Sequence, residues 1–210
     1  MNDKDIYILG AGTYGEAMFE LATIDGYNVK AFYEKDGISI GTTVMGVEVL
    51  LETEDIFVEG RKYIVAIGNN KLRNKIMTKI NDLGGITPTI VHPSAIISPS
   101  AKIGKGVYIQ ANAYIWTKVI ISDFCIISPG VVIAHHSNIG KACLISTLTG
   151  IGASINIEDN VFIGMGATIV TGMSLIGENS IIGEGAVVLK DIEKNSVYAG
   201  VPAKKIRDIY

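Results

Sequence analysis

The chain has too little of several things to belong to many classes of protein. Only two cysteines, Cys125 and Cys143, occur in 210 residues, which rules out a disulfide framework. Basic residues do not predominate: 18 Lys and Arg stand against 21 Asp and Glu, a net charge of −3. That balance offers no basic face for a nucleic acid or an anionic membrane surface. No apolar run reaches the roughly 18 residues of a membrane-spanning helix. The opening Met1-Asn-Asp-Lys-Asp5 lacks the basic-then-apolar layout of a secretory signal. A reducing cytoplasm is the expected compartment. Histidine is scarce, at His92, His135 and His136, so each one is informative.

What is present divides near residue 90. With 48% apolar and 19% charged residues the chain can bury a core. Lys4 to Leu9 reads as a buried strand, followed by Gly10-Ala-Gly-Thr-Tyr-Gly15 and a helical spacing at Ala17, Met18, Leu21 and Ala22. Val29–Tyr33 and Tyr63–Ile67 read as two further strands. Lys71 to Leu83 reads as a helix with Leu72, Ile76, Ile80 and Leu83 on one face. Strands alternating with helices imply a small parallel α/β sheet of Rossmann-like type over residues 1–90.

Over residues 91–210 the period becomes six. Stepping by six from Ile97 to Val187 meets Ile, Leu or Val at all 16 positions, and no insertion interrupts the count. A mostly small residue stands two before each: Ala95, Ala101, Val107, Ala113, Val119, Cys125, Val131, Ser137, Cys143 and Thr149. Glycine often comes just after, as at Gly104, Gly140, Gly152 and Gly164. Six fits neither helix nor plain strand. It fits a parallel solenoid of triangular section, with one short strand and one corner per hexapeptide, three hexapeptides per coil and about five coils. The aliphatic residues point inward, each worth about 1.5–3 kcal/mol when buried. The corners need permissive backbone, which glycine and Asn supply. Both cysteines fall on the small inward-leaning position, as core filler.

The six-residue pattern resembles the hexapeptide-repeat acyltransferases, and the ending Gly200-Val-Pro-Ala-Lys204 looks like the segment that closes their prisms. Gly10-Ala-Gly-Thr-Tyr-Gly15, Ala66-Ile-Gly-Asn-Asn70 with Arg73, and His92-Pro-Ser-Ala95 together resemble one subfamily. It comprises the bacterial acetyltransferases of sialic acid and of nucleotide-linked amino sugars, of the bacillosamine and perosamine type. The resemblance implies a left-handed parallel β-helix, a homotrimer, acetyl-CoA as co-substrate, no metal, and a nucleotide-linked sugar as acceptor.

Gly10-x-Gly12-x-x-Gly15 between a strand and a helix is a phosphate-binding turn: glycine lets backbone N–H groups approach a pyrophosphate, and the helix N-terminus favours its charge. Glu34, at the end of the second strand, stands where an acidic residue binds a ribose hydroxyl. The resemblance gives Gly12, Thr13, Tyr14, Glu34, Lys35 and Gly68 the nucleotide-sugar role. His135 and His136 fall on a corner, and the resemblance makes His135 the general base that takes the proton from the attacking amine or hydroxyl. His136 stands where many relatives have an acidic partner, and Leu144 where some have a second histidine beside the acetyl group. By position, Met165 and Gly183 border the pantetheine arm in a groove between neighbouring prisms, and Lys204 and Lys205 meet the coenzyme's phosphates. N-acetylation of a nucleotide-linked 4-amino sugar is the leading expectation. O-acetylation of a sialic-acid-like sugar, a non-catalytic sugar-nucleotide scaffold, and a zinc enzyme of the same fold are the alternatives.

Overall fold

The computed structural model describes residues 3–37 and 39–209. The chain forms two compact units, Met1–Ile90 and Val91–Tyr210.

The first unit contains β1 (Asp5–Leu9), α1 (Thr13–Ile24), β2 (Asn28–Glu34), β3 (Thr43–Val44), β4 (Val47–Leu51), β5 (Lys62–Val65) and α2 (Asn70–Asp82). Its sheet has the order β3-β4-β2-β1-β5, with β4, β2, β1 and β5 parallel and β3 antiparallel to β4. The two strands beyond the three expected come from Thr43 to Leu51. There Met45-Gly46 turns the chain with positive φ at both residues, a pattern too short to show a period. In α1 the buried residues are Gly15, Met18, Leu21 and Ala22, while Ala17 is exposed.

The expected inward face of α2 is corrected. Arg73, Met77 and Ile80 are its buried residues, and Leu72 and Leu83 are about half exposed. The apolar spacing predicted the helix but not its rotation. The guanidinium of Arg73 is buried because it can donate to the carbonyls of Ile67 and Gly68 and to Asn70 Oδ1.

The second unit is a parallel solenoid with three flat walls of six, five and eight strands. Two-residue strands stack at a spacing of 18: Ile97, Ile115, Ile133, Ile151 and Ile169 in the first wall; Ile103, Ile121, Ile139 and Ile157 in the second; Ile109, Ile127, Ile145 and Ile163 in the third. Backbone N–H groups of one coil donate to carbonyls 17 residues on, as from Ser98 to Ile115 and from Trp116 to Ile133. The aliphatic columns from Ile109 to Ile169 are at most 3% exposed. Small polar residues leaning inward are satisfied: Ser137 Oγ donates to Gly152 O at 2.8 Å and Thr149 Oγ1 to Gly164 O at 3.1 Å. The two thiols do likewise, Cys125 toward Gly140 O and Cys143 toward Glu158 O. Burial pushes the Cys143 thiol up, so it is an inert core group rather than a nucleophile.

The uninterrupted count fails after Ile169. One extra residue enters around Gly172, where Thr171 bridges Met173, and Ile157 pairs with Ile176, 19 residues on. Ile176, Ile182 and Val188 therefore point inward, and Leu175, Ile181 and Val187 are only half-buried. Each inward residue here has an aliphatic neighbour, so the sequence reads the same in either register.

The corner chemistry also differs from expectation. After every inward residue from Ile103 to Ile182, the third position on has positive φ, from Gly106 through Asn112, Lys118 and His136 to Gly185. The glycines immediately following the aliphatic residue do not. They are there because the next coil passes too close: a Cβ on Gly140 would lie 2.5 Å from the backbone carbon of Glu158.

Gly140→Ala is therefore expected to lower stability by at least about 2 kcal/mol. Lys118→Gly, which relieves a left-handed residue, is expected to be neutral or stabilising by up to about 1 kcal/mol. Denaturant titration of the two variants against the parent checks the contrast.

Candidate functional site

The first unit carries a cavity of about 580 Å³ at the C-terminal ends of its strands. Gly12, Glu34 and Lys35 line it, with Gly10, Ala66 and Ile67 from the same edge. Thr13, Tyr14 and Gly68 do not line it: Thr13 and Gly68 are exposed on its approaches and Tyr14 is half-buried. Sequence reasoning missed Asp36, Glu52, Phe57, Lys75 and Lys79, and it gave Leu72 and Ile76, which also line the cavity, only as part of an apolar helix face. These side chains come from the segments after β2 and β4 and from α2, whose rotation no local pattern fixes.

The three glycines of the turn have different reasons. Gly10 has a φ of +101°. A Cβ on Gly15 would stand 2.2 Å from the carbonyl oxygen of Gly10, so only glycine lets α1 start against β1. Gly12 needs neither, since a Cβ there would meet nothing within 4 Å. It is the N-cap of α1 and makes no side-chain cap. A backbone that is bare toward open space beside a cavity suits close approach of an anion. Glu34 reaches into the same turn, where Oε1 accepts from Ala11 N at 2.6 Å, and its second oxygen remains for a ligand hydroxyl.

On the solenoid, His135 and His136 are exposed at the corner after the strand Val132–Ile133, the edge between the first and second walls. The corner's left-handed residue is His136, with φ of +60°, and its N–H donates to Thr117 O at 3.1 Å. This turn brings the two rings together, with Nδ1 of His135 3.1 Å from Nδ1 of His136 and the ring planes at 87°. One nitrogen donates and the other accepts, so at least one ring is neutral. Trp116, one coil earlier on the same edge, lies 6.1 Å from the His135 ring between centroids, and Tyr114 lies 5.5 Å from Trp116.

The coenzyme candidates lie elsewhere on the prism. Met165 is half exposed at the corner after Phe162–Ile163, the edge between the third and first walls. Gly183 is on the same edge one coil on, where a Cβ would touch Ala199 Cβ at 2.8 Å. The closing hairpin of Ser196–Ala199 and Lys204–Asp208 is joined to this edge, as Val187 N donates to Gly200 O. Leu144 faces outward on the third wall beside Ile126 and Phe162. Met165, Gly183 and the hairpin bearing Lys204 are thus together, while the histidine pair is on a different edge of the same prism. Lys205 is held by Glu193 at 2.6 Å and Asp208 at 2.8 Å, which raise its pKa; Lys204 has no ion pair among the described residues. Among the described residues no group of three or more His, Cys, Asp or Glu could hold a metal ion, and no helix is long and apolar enough to cross a membrane.

The PglD N-terminal domain family matches residues 5–80, and the bacterial transferase hexapeptide family, six repeats, matches residues 100–135. The GDP-perosamine N-acetyltransferase of Escherichia coli is 32% identical over 178 residues, covering 79% of this chain and 78% of that protein. The chain belongs to the hexapeptide-repeat acetyltransferases of nucleotide-linked amino sugars. Within that family, PerB from Caulobacter crescentus in complex with CoA and GDP-perosamine matches with a TM-score of 0.88 at 30% identity, over 97% of each chain. The acetyltransferase domain of PglB from Neisseria gonorrhoeae matches at 0.72 and 27%, over 97% of this chain and 100% of that one. A small α/β domain followed by a left-handed β-helix is the fold these proteins share with it. A Schizosaccharomyces pombe relative is 57% identical over 58 residues, so the chain spans only 28% of that protein's length.

Glu34→Ala strands the Ala11 N–H and is expected to cost about 1–3 kcal/mol of stability in the first unit. Denaturant unfolding followed by the tyrosines of that unit measures it.

Proposed function

We propose that the protein transfers the acetyl group of acetyl-CoA to the amine of a nucleoside-diphosphate-linked 4-amino sugar, with His135 as general base. The observation that carries this reading is the coupled histidine pair at an exposed corner. If His135 donates its Nδ1–H to His136, its Nε2 carries a lone pair and faces outward as a base. The sugar nitrogen attacks the thioester carbonyl, a C–N bond forms, and the Nε2 of His135 takes the proton that nitrogen loses. The C–S bond then breaks, and the same proton passes to the departing thiolate. No covalent enzyme intermediate is needed; holding both reactants in line supplies the rate.

His136 is the positioning residue. A neutral imidazole accepts from His135 and fixes its tautomer, the part an acidic neighbour plays elsewhere. The cavity of the first unit takes the nucleoside diphosphate, with the phosphates over Gly12 and the start of α1 and a ribose hydroxyl on Glu34. Lys35, Thr13, Tyr14 and Gly68 flank it. Met165, Gly183, Leu144 and Lys204 serve the coenzyme. Because the histidine edge and the Met165 edge differ within one chain, a neighbouring prism brings them face to face, and the working assembly is a homotrimer. That a relative was solved with both CoA and GDP-perosamine supports a reading in which both kinds of ligand are held.

Thiol release from acetyl-CoA with UDP-, dTDP- and GDP-linked 4-amino-4,6-dideoxy sugars tests the reading. Turnover with one of them, lost about 10²–10⁴-fold in His135→Ala, is the expected result. His136→Ala is expected to lose about tenfold, mainly in kcat, and His136→Glu to restore activity. Coenzyme binding without thiol release on any amino sugar would shift the acceptor to a hydroxyl. Sedimentation equilibrium is expected to give the mass of three chains.

A further inference from the structure

The prism aims one position of each coil at the next coil. Gly104, Gly140 and Gly152 each follow an inward residue directly. A Cβ on them would lie 2.7, 2.7 and 2.5 Å from the backbone nitrogens of Asp123, Asp159 and Thr171, each 19 residues on. Trp116 follows the inward Ile115 and so occupies the same position, and the residue 19 on is His135. The ring contact between the two, 6.1 Å between centroids at 34°, is the result. In the coils before and after, the equivalent residues are the small Ser98 and Ala134. The bulky residue of this column therefore stands at the histidine pair, and it is the single tryptophan of the chain.

His135 has ring neighbours on two sides. His136 lies across it at 87° with Nδ1 at 3.1 Å, and the indole lies against it at 34°. In the reaction proposed above, the acceptor nitrogen must come within about 3 Å of Nε2. That nitrogen is bonded directly to a pyranose carbon, so the sugar ring stands within one ring's breadth of the indole. Trp116 has surface to offer it. The residue is 37% exposed, and its neighbours Tyr114 and His135 are tilted at 46° and 34°, so neither lies flat on it. A pyranose carries patches of C–H bonds. The electron-rich face of an indole takes such a patch by dispersion and by attraction of the slightly positive hydrogens.

We propose that Trp116 is the platform on which the acceptor's pyranose lies, a specificity-determining contact to the sugar that is independent of the nucleotide. This rests on the amino-sugar reading above.

The single tryptophan is its own reporter. Tryptophan emission of the full chain is followed while UDP-, dTDP- and GDP-linked 4-amino-4,6-dideoxy sugars, or the free nucleoside diphosphates, are added. A saturable change is expected with the sugar nucleotide that supports thiol release, and none with its nucleoside diphosphate alone. Trp116→Ala is expected to raise the KM for that sugar nucleotide about tenfold, with the KM for acetyl-CoA unmoved and the loss in kcat much smaller. Trp116→Tyr is expected to recover most of the affinity. Emission that stays constant while thiol release saturates overturns the proposal, and so does an equal change with the bare nucleoside diphosphate. A Trp116→Ala loss confined to kcat also overturns it, since the ring would then only position His135. Emission that follows chain concentration and ignores the sugar overturns it in favour of a contact between copies. Each of these results spares the acetyltransferase reading, whereas thiol release with none of the sugars overturns both. The wild-type emission decides the matter even where a variant fails to fold.

Discussion

Everything in the second unit depends on one constraint: each coil must lie on the next with its backbone hydrogen bonds and its aliphatic column in register at once. Burial of the inward Ile and Val residues drives the stacking, and the N–H to carbonyl ladder between coils satisfies the polar backbone that stacking removes from water. Neither works alone in strands two residues long. The condition also fixes the corners. The chain must turn within four residues, and it does so with a left-handed residue three places after each inward one. At His136 the left-handed turn places one imidazole against the other.

The first unit solves a different problem, exposing backbone without losing it to water. Arg73 and Glu34 do this from opposite sides of the cavity edge. The buried guanidinium gathers the carbonyls of Ile67 and Gly68, and the carboxylate of Glu34 gathers the Ala11 N–H.

Legibility in the sequence followed the strength of each physical signal. The solenoid was readable because Ile, Leu or Val recurs at every sixth position, and an inward column accounts for the run from Ile97 to Ile169. The small position was readable for the same reason, and Cys125 and Cys143 lie where it put them. The insertion at Gly172 was not, because paired aliphatics such as Leu175-Ile176 satisfy either register. The glycine turn was visible through its own spacing. Glu52, Phe57 and Lys79 were invisible, since they meet only through the sheet order and the rotation of α2. That rotation is set by Arg73, a charged residue that periodicity assigns to solvent.

The extra residue at Gly172 reaches beyond its own corner. It turns Leu175, Ile181 and Val187 from core positions into the outer skin of the last coils. At the equivalent outward positions elsewhere the prism is mixed, with Lys102, Asn138, Asn156 and Thr168 alongside exposed Ile96, Ile120 and Val132, whereas the last three such positions are all aliphatic. One added residue has thus changed which of two neighbouring aliphatics the last coils turn outward, without altering the composition of the repeat.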